Sequence, residues 1–246
     1  MQLTLLGTGA AMPLPDRAQA GYLVETGDRT LLVDAGSGVL RRLTGTEPGY
    51  VGVDTLLLTH HHLDHVADVC PLLKARWLAD APPLHIVGPP GTGTLVRDLL
   101  SVHDYLADRV RFETTDIDPG EHEIDGWSVR AIETRHSLQC YAYRIHGAGG
   151  DLTVSGDSEA FDGLASFADG SAVLVHDCSF PDGIDVSNHP TPTQLAAVLA
   201  GTDIEHIILS HLYPHSAGHH TEMCATVERS VGGEVSIYSD GRTLQL

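Results

Sequence analysis

The segment Leu56-Leu57-Leu58-Thr59-His60-His61-His62-Leu63-Asp64-His65 constrains this chain more than any other. An apolar run with strand character stops at Thr59, and the six residues after it carry four imidazoles and one carboxylate. In extended backbone His60 and His62 project to one side while His61 faces away. Asp64 and His65 then fall where the chain turns into a helix, so a second pair of donors can face the first. Neutral imidazole and carboxylate are ligands that zinc and similar divalent ions prefer. The segment predicts a metal centre at the carboxyl end of a strand. Its internal position and interleaved residues exclude an affinity tag.

The remaining sequence supplies the frame for such a centre. Short apolar runs read as strands at Gln2–Leu6, Tyr22–Thr26, Thr30–Asp34, Val53–Thr59 and Leu84–Val87. The second half repeats the style at Trp127–Glu133, Cys140–Ile145, Leu152–Ser155, Ala172–His176, Ile204–Ser210 and Val235–Tyr238. Helices are predicted over Ser37–Leu43, Asp64–Leu78, Thr94–Leu106, Phe161–Phe167, Pro192–Leu199 and Glu222–Val231. The helix at Pro192 has the clearest start, with Thr191 as cap, Pro192 in the first turn and Gln194 closing a capping box. No linker, low-complexity stretch or repeat divides the 246 residues. Two halves of like texture predict an α/β protein: a four-layer αββα sandwich, forming a single domain over residues 1–246.

Charge narrows the partners. The chain has 14 basic and 33 acidic residues, a net charge of −19, and Lys74 is its only lysine. So acidic a surface repels nucleic acid unless salt or a local basic patch intervenes. The four cysteines (Cys70, Cys140, Cys178 and Cys224) are too far apart for CxxC chemistry, and reduced thiols are expected. No apolar run approaches the ~18 residues of a membrane span, and the start lacks the basic region of a signal peptide. The expectation is a cytoplasmic protein without a membrane partner.

With these motifs in place, the sequence resembles the metallo-β-lactamase superfamily along essentially its whole length. The opening Leu5-Leu6-Gly7-Thr8-Gly9-Ala10-Ala11 is similar to that of the ribonuclease Z-like phosphodiesterase branch. The superfamily's five motifs match in order: Asp34, the cluster from His60 to His65, His136 before Ser137, Asp157 in Ser155-Gly156-Asp157-Ser158, and His211 after an apolar strand. The resemblance implies that His60, His62 and His136 hold one metal, that Asp64, His65 and His211 hold another, and that Asp157 joins them. Asp34 would accept a hydrogen bond from a ligand histidine. Zinc is the family expectation for the two divalent ions, with Mn2+ or Fe2+ also compatible. A close pair of such ions generates hydroxide at neutral pH and stabilises both oxygens of a displacement at phosphorus.

Two further segments resemble phosphodiesterase motifs. His176-Asp177-Cys178-Ser179 corresponds to a His-Glu-Ala-Thr sequence, with the shorter Asp177 in the glutamate position. Asn188-His189-Pro190-Thr191 corresponds to the segment of a catalytic histidine. Asp177 is expected to orient His189, which would protonate the leaving oxygen or bond the phosphoryl group; Asp64 completes the catalytic set.

Transfer-RNA maturing members of the branch carry a long arm between the third and fourth motifs, but only 20 residues separate His136 from Asp157. The expected substrate is therefore a small cyclic or short nucleotide-like phosphodiester, with tRNA disfavoured and a homodimer compatible with the resemblance. Other readings stay open: a tRNA 3′-processing endonuclease, a lactone, thioester or sulfate-ester hydrolase, or a non-catalytic metal-binding sensor. His61, His85, His103, His122, His146, His206, His215, His219 and His220 are not expected in the site. Trp77 and Trp127 are expected in the core.

Overall fold

The computed structural model describes residues 1–246, with the side chain of Ala107 left aside. The first half contains β1 (Gln2–Gly7), β2 (Gly21–Thr26), β3 (Arg29–Val33), α1 (Val39–Leu43), β4 (Thr55–Leu57), α2 (Leu63–Val66), α3 (Val69–Leu78), β5 (Leu84–Gly88), α4 (Thr92–Ser101), α5 (Asp104–Ala107) and β6 (Phe112–Asp116). The second half contains β7 (Gly120–Ile124), β8 (Trp127–Glu133), β9 (Tyr141–Ile145), β10 (Leu152–Val154), α6 (Asp162–Ala168), β11 (Val173–Asp177), α7 (Pro192–Leu199), β12 (His206–Ser210), α8 (His220–Glu228), β13 (Glu234–Ser236) and β14 (Thr243–Gln245).

These strands form two seven-stranded mixed sheets, ordered β14-β1-β2-β3-β4-β5-β6 and β13-β12-β11-β10-β9-β8-β7. In the first sheet the pairing is antiparallel from β14 to β3 and parallel from β3 to β6. In the second it is antiparallel from β7 to β10 and parallel from β10 to β13. The sequence explains the arrangement. β4 (TLL) and β11 (VLVHD) are buried along their whole length, as interior parallel strands must be. β8 alternates, turning Trp127, Val129 and Ala131 inward.

One apolar layer lies between the sheets, with Leu3, Leu5, Val24, Val33 and Leu57 facing Val129, Tyr143, Ile145, Val175 and Ile208. The helices α1 to α5 cover the outer face of the first sheet, and α6 to α8 that of the second. The result is the expected αββα order. Truncating a fully buried leucine of these layers, such as Leu57, costs about 2–5 kcal/mol. Trp127 is buried in the central layer, and Trp77 packs half-buried against the helical one. Among the described residues no helix is long and apolar enough to cross a membrane.

The elements differ from the sequence reading in ways that matter locally. The helix predicted over Asp64–Leu78 breaks between α2 and α3. There Asp68 accepts hydrogen bonds from the Gly38 and Leu40 N–H groups, and its own N–H donates to the Ala35 carbonyl. The strand predicted over Val53–Thr59 is ordered only over Thr55–Leu57, because residues 59–62 leave the ladder to build the site. The polar outer strands β6 (FETTD) and β7 (GEHEI) and the short β14 escaped the sequence reading. Strands at a sheet edge need little apolar content and carry charge that discourages edge-to-edge pairing.

Candidate metal centre

Six strand ends converge at one edge of the sandwich. Asp34 follows β3, His60 to His65 follow β4, His136 follows β8, Asp157 follows β10, Asp177 ends β11 and His211 follows β12. This is the carboxyl edge of the strands, where open α/β sheets place their ligands. The backbone is forced there: Asp34 and His211 adopt left-handed φ values of 61° and 57°, and Gly156 one of 59°. A Cβ on Gly156 would meet Cys140 Sγ and the Tyr141 carbonyl at 2.9 Å, so glycine is required beside Asp157. Strained residues of this kind persist where the surroundings over-determine them.

The side chains form two groups that meet at Asp157. His62 Nδ1 lies 3.0 Å from both His60 Nε2 and His136 Nε2. On the other side His211 Nε2 lies 3.2 Å from Asp64 Oδ2 and 3.4 Å from His65 Nε2. Asp157 divides its carboxylate between them: Oδ2 is 3.6 Å from His60 Nε2 and 3.7 Å from His136 Nε2, whereas Oδ1 is 3.3 Å from His65 Nε2 and 3.4 Å from His211 Nε2. All seven side chains named for metal binding therefore come together.

The outward nitrogens of His65, His60 and His211 are occupied. Asp34 Oδ2 pairs with His65 Nδ1 at 2.7 Å, and Asp34 also accepts from the Thr59 N–H and hydroxyl, each at 2.8 Å. The Thr59 hydroxyl lies 3.1 Å from His60 Nδ1, and the Ser179 hydroxyl 3.0 Å from His211 Nδ1. The inner nitrogens of these three rings thus turn toward other acceptors rather than toward donors. Burial, reinforced by neighbouring His65, holds His60 well below the usual imidazole range, while burial lowers His62 and His136. Burial opposes charge on Asp157, but His211, His65 and His60 outweigh it and keep the carboxyl well below its usual range. Three imidazoles held toward the neutral form by burial, around an ionised carboxylate, are a donor set that a cation completes. Nitrogens bound to zinc at about 2.0–2.1 Å sit roughly 3.3 Å apart, close to the spacings seen here.

Beside this cluster His189 Nδ1 bonds Asp177 Oδ2 at 2.7 Å, so the aspartate spans the gap despite its shorter side chain. The His189 ring stacks on His211 with centroids 5.2 Å apart and packs edgewise against His136 at 5.5 Å. Burial works against the charged form of His189, but Asp177, then Asp157 and Asp64, push its pKa up to about 9. Phe180 and Tyr213, stacked at 4.7 Å, wall the same side. His61 turns away, as expected, to Thr92 at 2.8 Å. His85 lies outside the site, bonded to Asp125 and Thr115. His215 is exposed in a one-turn 3-10 helix, its ring 5.4 Å from Phe180. Thr59 and Ser179, which contact the His60 and His211 rings, are residues that sequence reasoning does not single out, although both stand inside quoted motifs.

A family model described as anti-Pycsar protein Apyc1 matches residues 1–226. The chain belongs to this family. The Apyc1 family match is joined by full-length likeness to ribonuclease Z of Mycobacterium avium (strain 104), at 32% identity over 275 aligned residues, covering 100% of this chain and 98% of the relative. Among solved structures, the metallo-β-lactamase fold protein YhfI from Bacillus subtilis superposes with a TM-score of 0.85 at 25% identity, covering 99% of each chain. Human tRNase Z, short form, shares the fold with a TM-score of 0.76 at 20% identity, covering 100% of this chain and 99% of that one. This Apyc1-family chain is thus a ribonuclease Z-like member of the metallo-β-lactamase superfamily. With its His/Asp cluster it is a metal-dependent hydrolase of ester bonds.

Proposed function

We propose that the chain hydrolyses small cyclic or short nucleotide-like phosphodiesters on a pair of divalent ions, zinc by preference. His60, His62 and His136 would hold one ion, Asp64, His65 and His211 the other, with one oxygen of Asp157 on each. The observation that carries this reading is the division of Asp157, whose two oxygens face different histidine groups. When bound, such a pair supplies a hydroxide nucleophile at neutral pH and charge stabilisation for a diester.

The chain's own residues do the rest. Asp34 and Thr59 fix the His65 and His60 rings so that Nε2 of each faces inward. Asp177 holds His189 by Nδ1, which leaves Nε2 as the nitrogen able to give a proton to a leaving oxygen. The Asp177 carboxylate beside it favours the protonated form of the His189 ring.

Small substrates are favoured by the connection between β9 and β10, where residues 146–151 form one short turn in place of an arm. The M. avium alignment, at 275 positions, exceeds this chain's 246 residues by 29, so the relative carries about that many residues without counterpart here. The net charge of −19 acts in the same direction. Precursor tRNA is the second reading. It is favoured by the full-length likeness to ribonuclease Z.

Assaying the zinc-loaded protein against 2′,3′- and 3′,5′-cyclic nucleotides, dinucleotides and a precursor tRNA separates the two. Turnover of the small diesters supports the proposal; activity confined to the tRNA overturns it.

A further inference from the structure

We propose that Ser179 is a positioning residue that locks the ligand ring of His211 to the Asp177–His189 pair through a single hydroxyl. The inference rests on the proposed ligand role of His211 and proton-donor role of His189, and goes beyond them in assigning how the two are held in register.

Ser179 is fully buried just beyond the end of β11. Its Oγ lies 2.6 Å from Asp177 Oδ1, 3.0 Å from His211 Nδ1 and 2.8 Å from the His211 carbonyl oxygen. One hydroxyl has one hydrogen to give and lone pairs to receive, so these contacts cannot all be donated. His211 presents Nε2 to Asp64, Asp157 and His65. A neutral ring whose Nε2 serves a cation carries its proton on Nδ1, and that proton points at Ser179 Oγ. The serine hydrogen is then free for the shortest contact, Asp177 Oδ1, and a bond to a carboxylate is stronger than one to a neutral carbonyl. Asp177 Oδ2 in turn accepts from His189 Nδ1 at 2.7 Å.

The hydrogens therefore run one way, from His211 through Ser179 to Asp177, with His189 closing on the other oxygen. Asp177 is held at both oxygens, and the Ser158 N–H adds a bond to Oδ2 at 3.3 Å. An aspartate gripped this way cannot rotate, which explains how the short Asp177 presents His189 face to face with His211 at 18° between ring planes. Outer partners of metal-bound histidines are worth roughly 10- to 100-fold in affinity or activity when removed.

The test uses the full chain in three forms, wild type, Ser179→Ala and Ser179→Thr, each also in a His189→Ala background, with thermal melts reporting folding. Zinc alone is titrated into chelator-stripped protein, and kcat and KM are measured at saturating zinc on an alkyl phosphodiester. The proposal expects Ser179→Ala to weaken zinc binding at one site roughly 10- to 100-fold and to lower kcat by a similar factor with KM nearly constant. Ser179→Thr, which keeps the hydroxyl, restores both. In the His189→Ala background Ser179→Ala still weakens zinc but removes no further kcat. Should the threonine variant fold poorly, Ser179→Cys, a weak donor of similar size, is expected to show the alanine pattern. Unchanged zinc affinity in Ser179→Ala overturns the proposal, as does a kcat loss that multiplies with that of His189→Ala. Near-normal turnover by His189→Ala alone sinks the proton-donor reading instead, and the Ser179 assignment is then decided by the zinc titration.

Discussion

Asp34 Oδ2 and His65 Nδ1 lie 2.7 Å apart although 31 residues separate them in sequence. The contact fixes which nitrogen of His65 faces the cluster, and it is made by an aspartate in left-handed conformation directly after β3. Asp34→Asn keeps the shape but removes the charge, and it is expected to weaken metal binding by about 10- to 100-fold. Competition titration of stripped protein with a chromogenic chelator measures this directly. Wild-type affinity in the variant would remove Asp34 from the account.

The His189–Asp177 pair predicts a pH signature in metal-free protein. His189 is raised from 6.5 to about 9 in the folded chain, against burial, by Asp177. A group raised on folding stabilises fully below its unfolded value and loses that contribution as pH climbs through the folded one. Stability of chelator-treated protein should thus decline between pH 6.5 and 9, by an upper limit of about 3 kcal/mol from this pair. His65, also raised by Asp157 and Asp34 against its burial, acts in the same direction. Thermal melts across this range should show a shallower decline in Asp177→Asn; equal slopes would mean that the pair is not coupled as described.

How much of this was legible in sequence follows from physics. Four of the donors lie just beyond a strand end, where an apolar run gives way to polar residues; His60 and His62 were legible from their spacing alone, whereas His136, Asp157 and His211 were legible only through the motif order of the family the sequence resembles. The capping box at Thr191 is equally local, and its reciprocal bonds are present in α7. What could not be read are contacts made between strands distant in sequence. Thr59 reaches back to Asp34, and Ser179 reaches forward to His211; a hydroxyl has no spacing signature of its own. The polar strands β6 and β7 failed for a related reason, since pairing with a neighbour, rather than their own periodicity, makes them strands.

His189→Ala should lower kcat by about 100-fold on diesters with alkyl leaving groups and far less on bis(p-nitrophenyl) phosphate, whose leaving group needs no proton. Steady-state kinetics on the two substrates test it. Equal losses on both would point to binding rather than proton donation.

The net charge of −19 should repel anionic substrates. Raising salt from about 0.02 to about 0.2 M shortens the screening length several-fold, so kcat/KM for a small diester is expected to rise while kcat stays level. A fall in kcat/KM would indicate instead a basic path to the site.

Metal content of the purified protein, measured by inductively coupled plasma mass spectrometry alongside diester turnover, tests the central claim most directly. The account predicts about two divalent ions per wild-type chain, fewer than one in Asp157→Ala, and activity lost from the stripped protein and restored by zinc. Full turnover by metal-free protein, or two ions retained by Asp157→Ala, would contradict it.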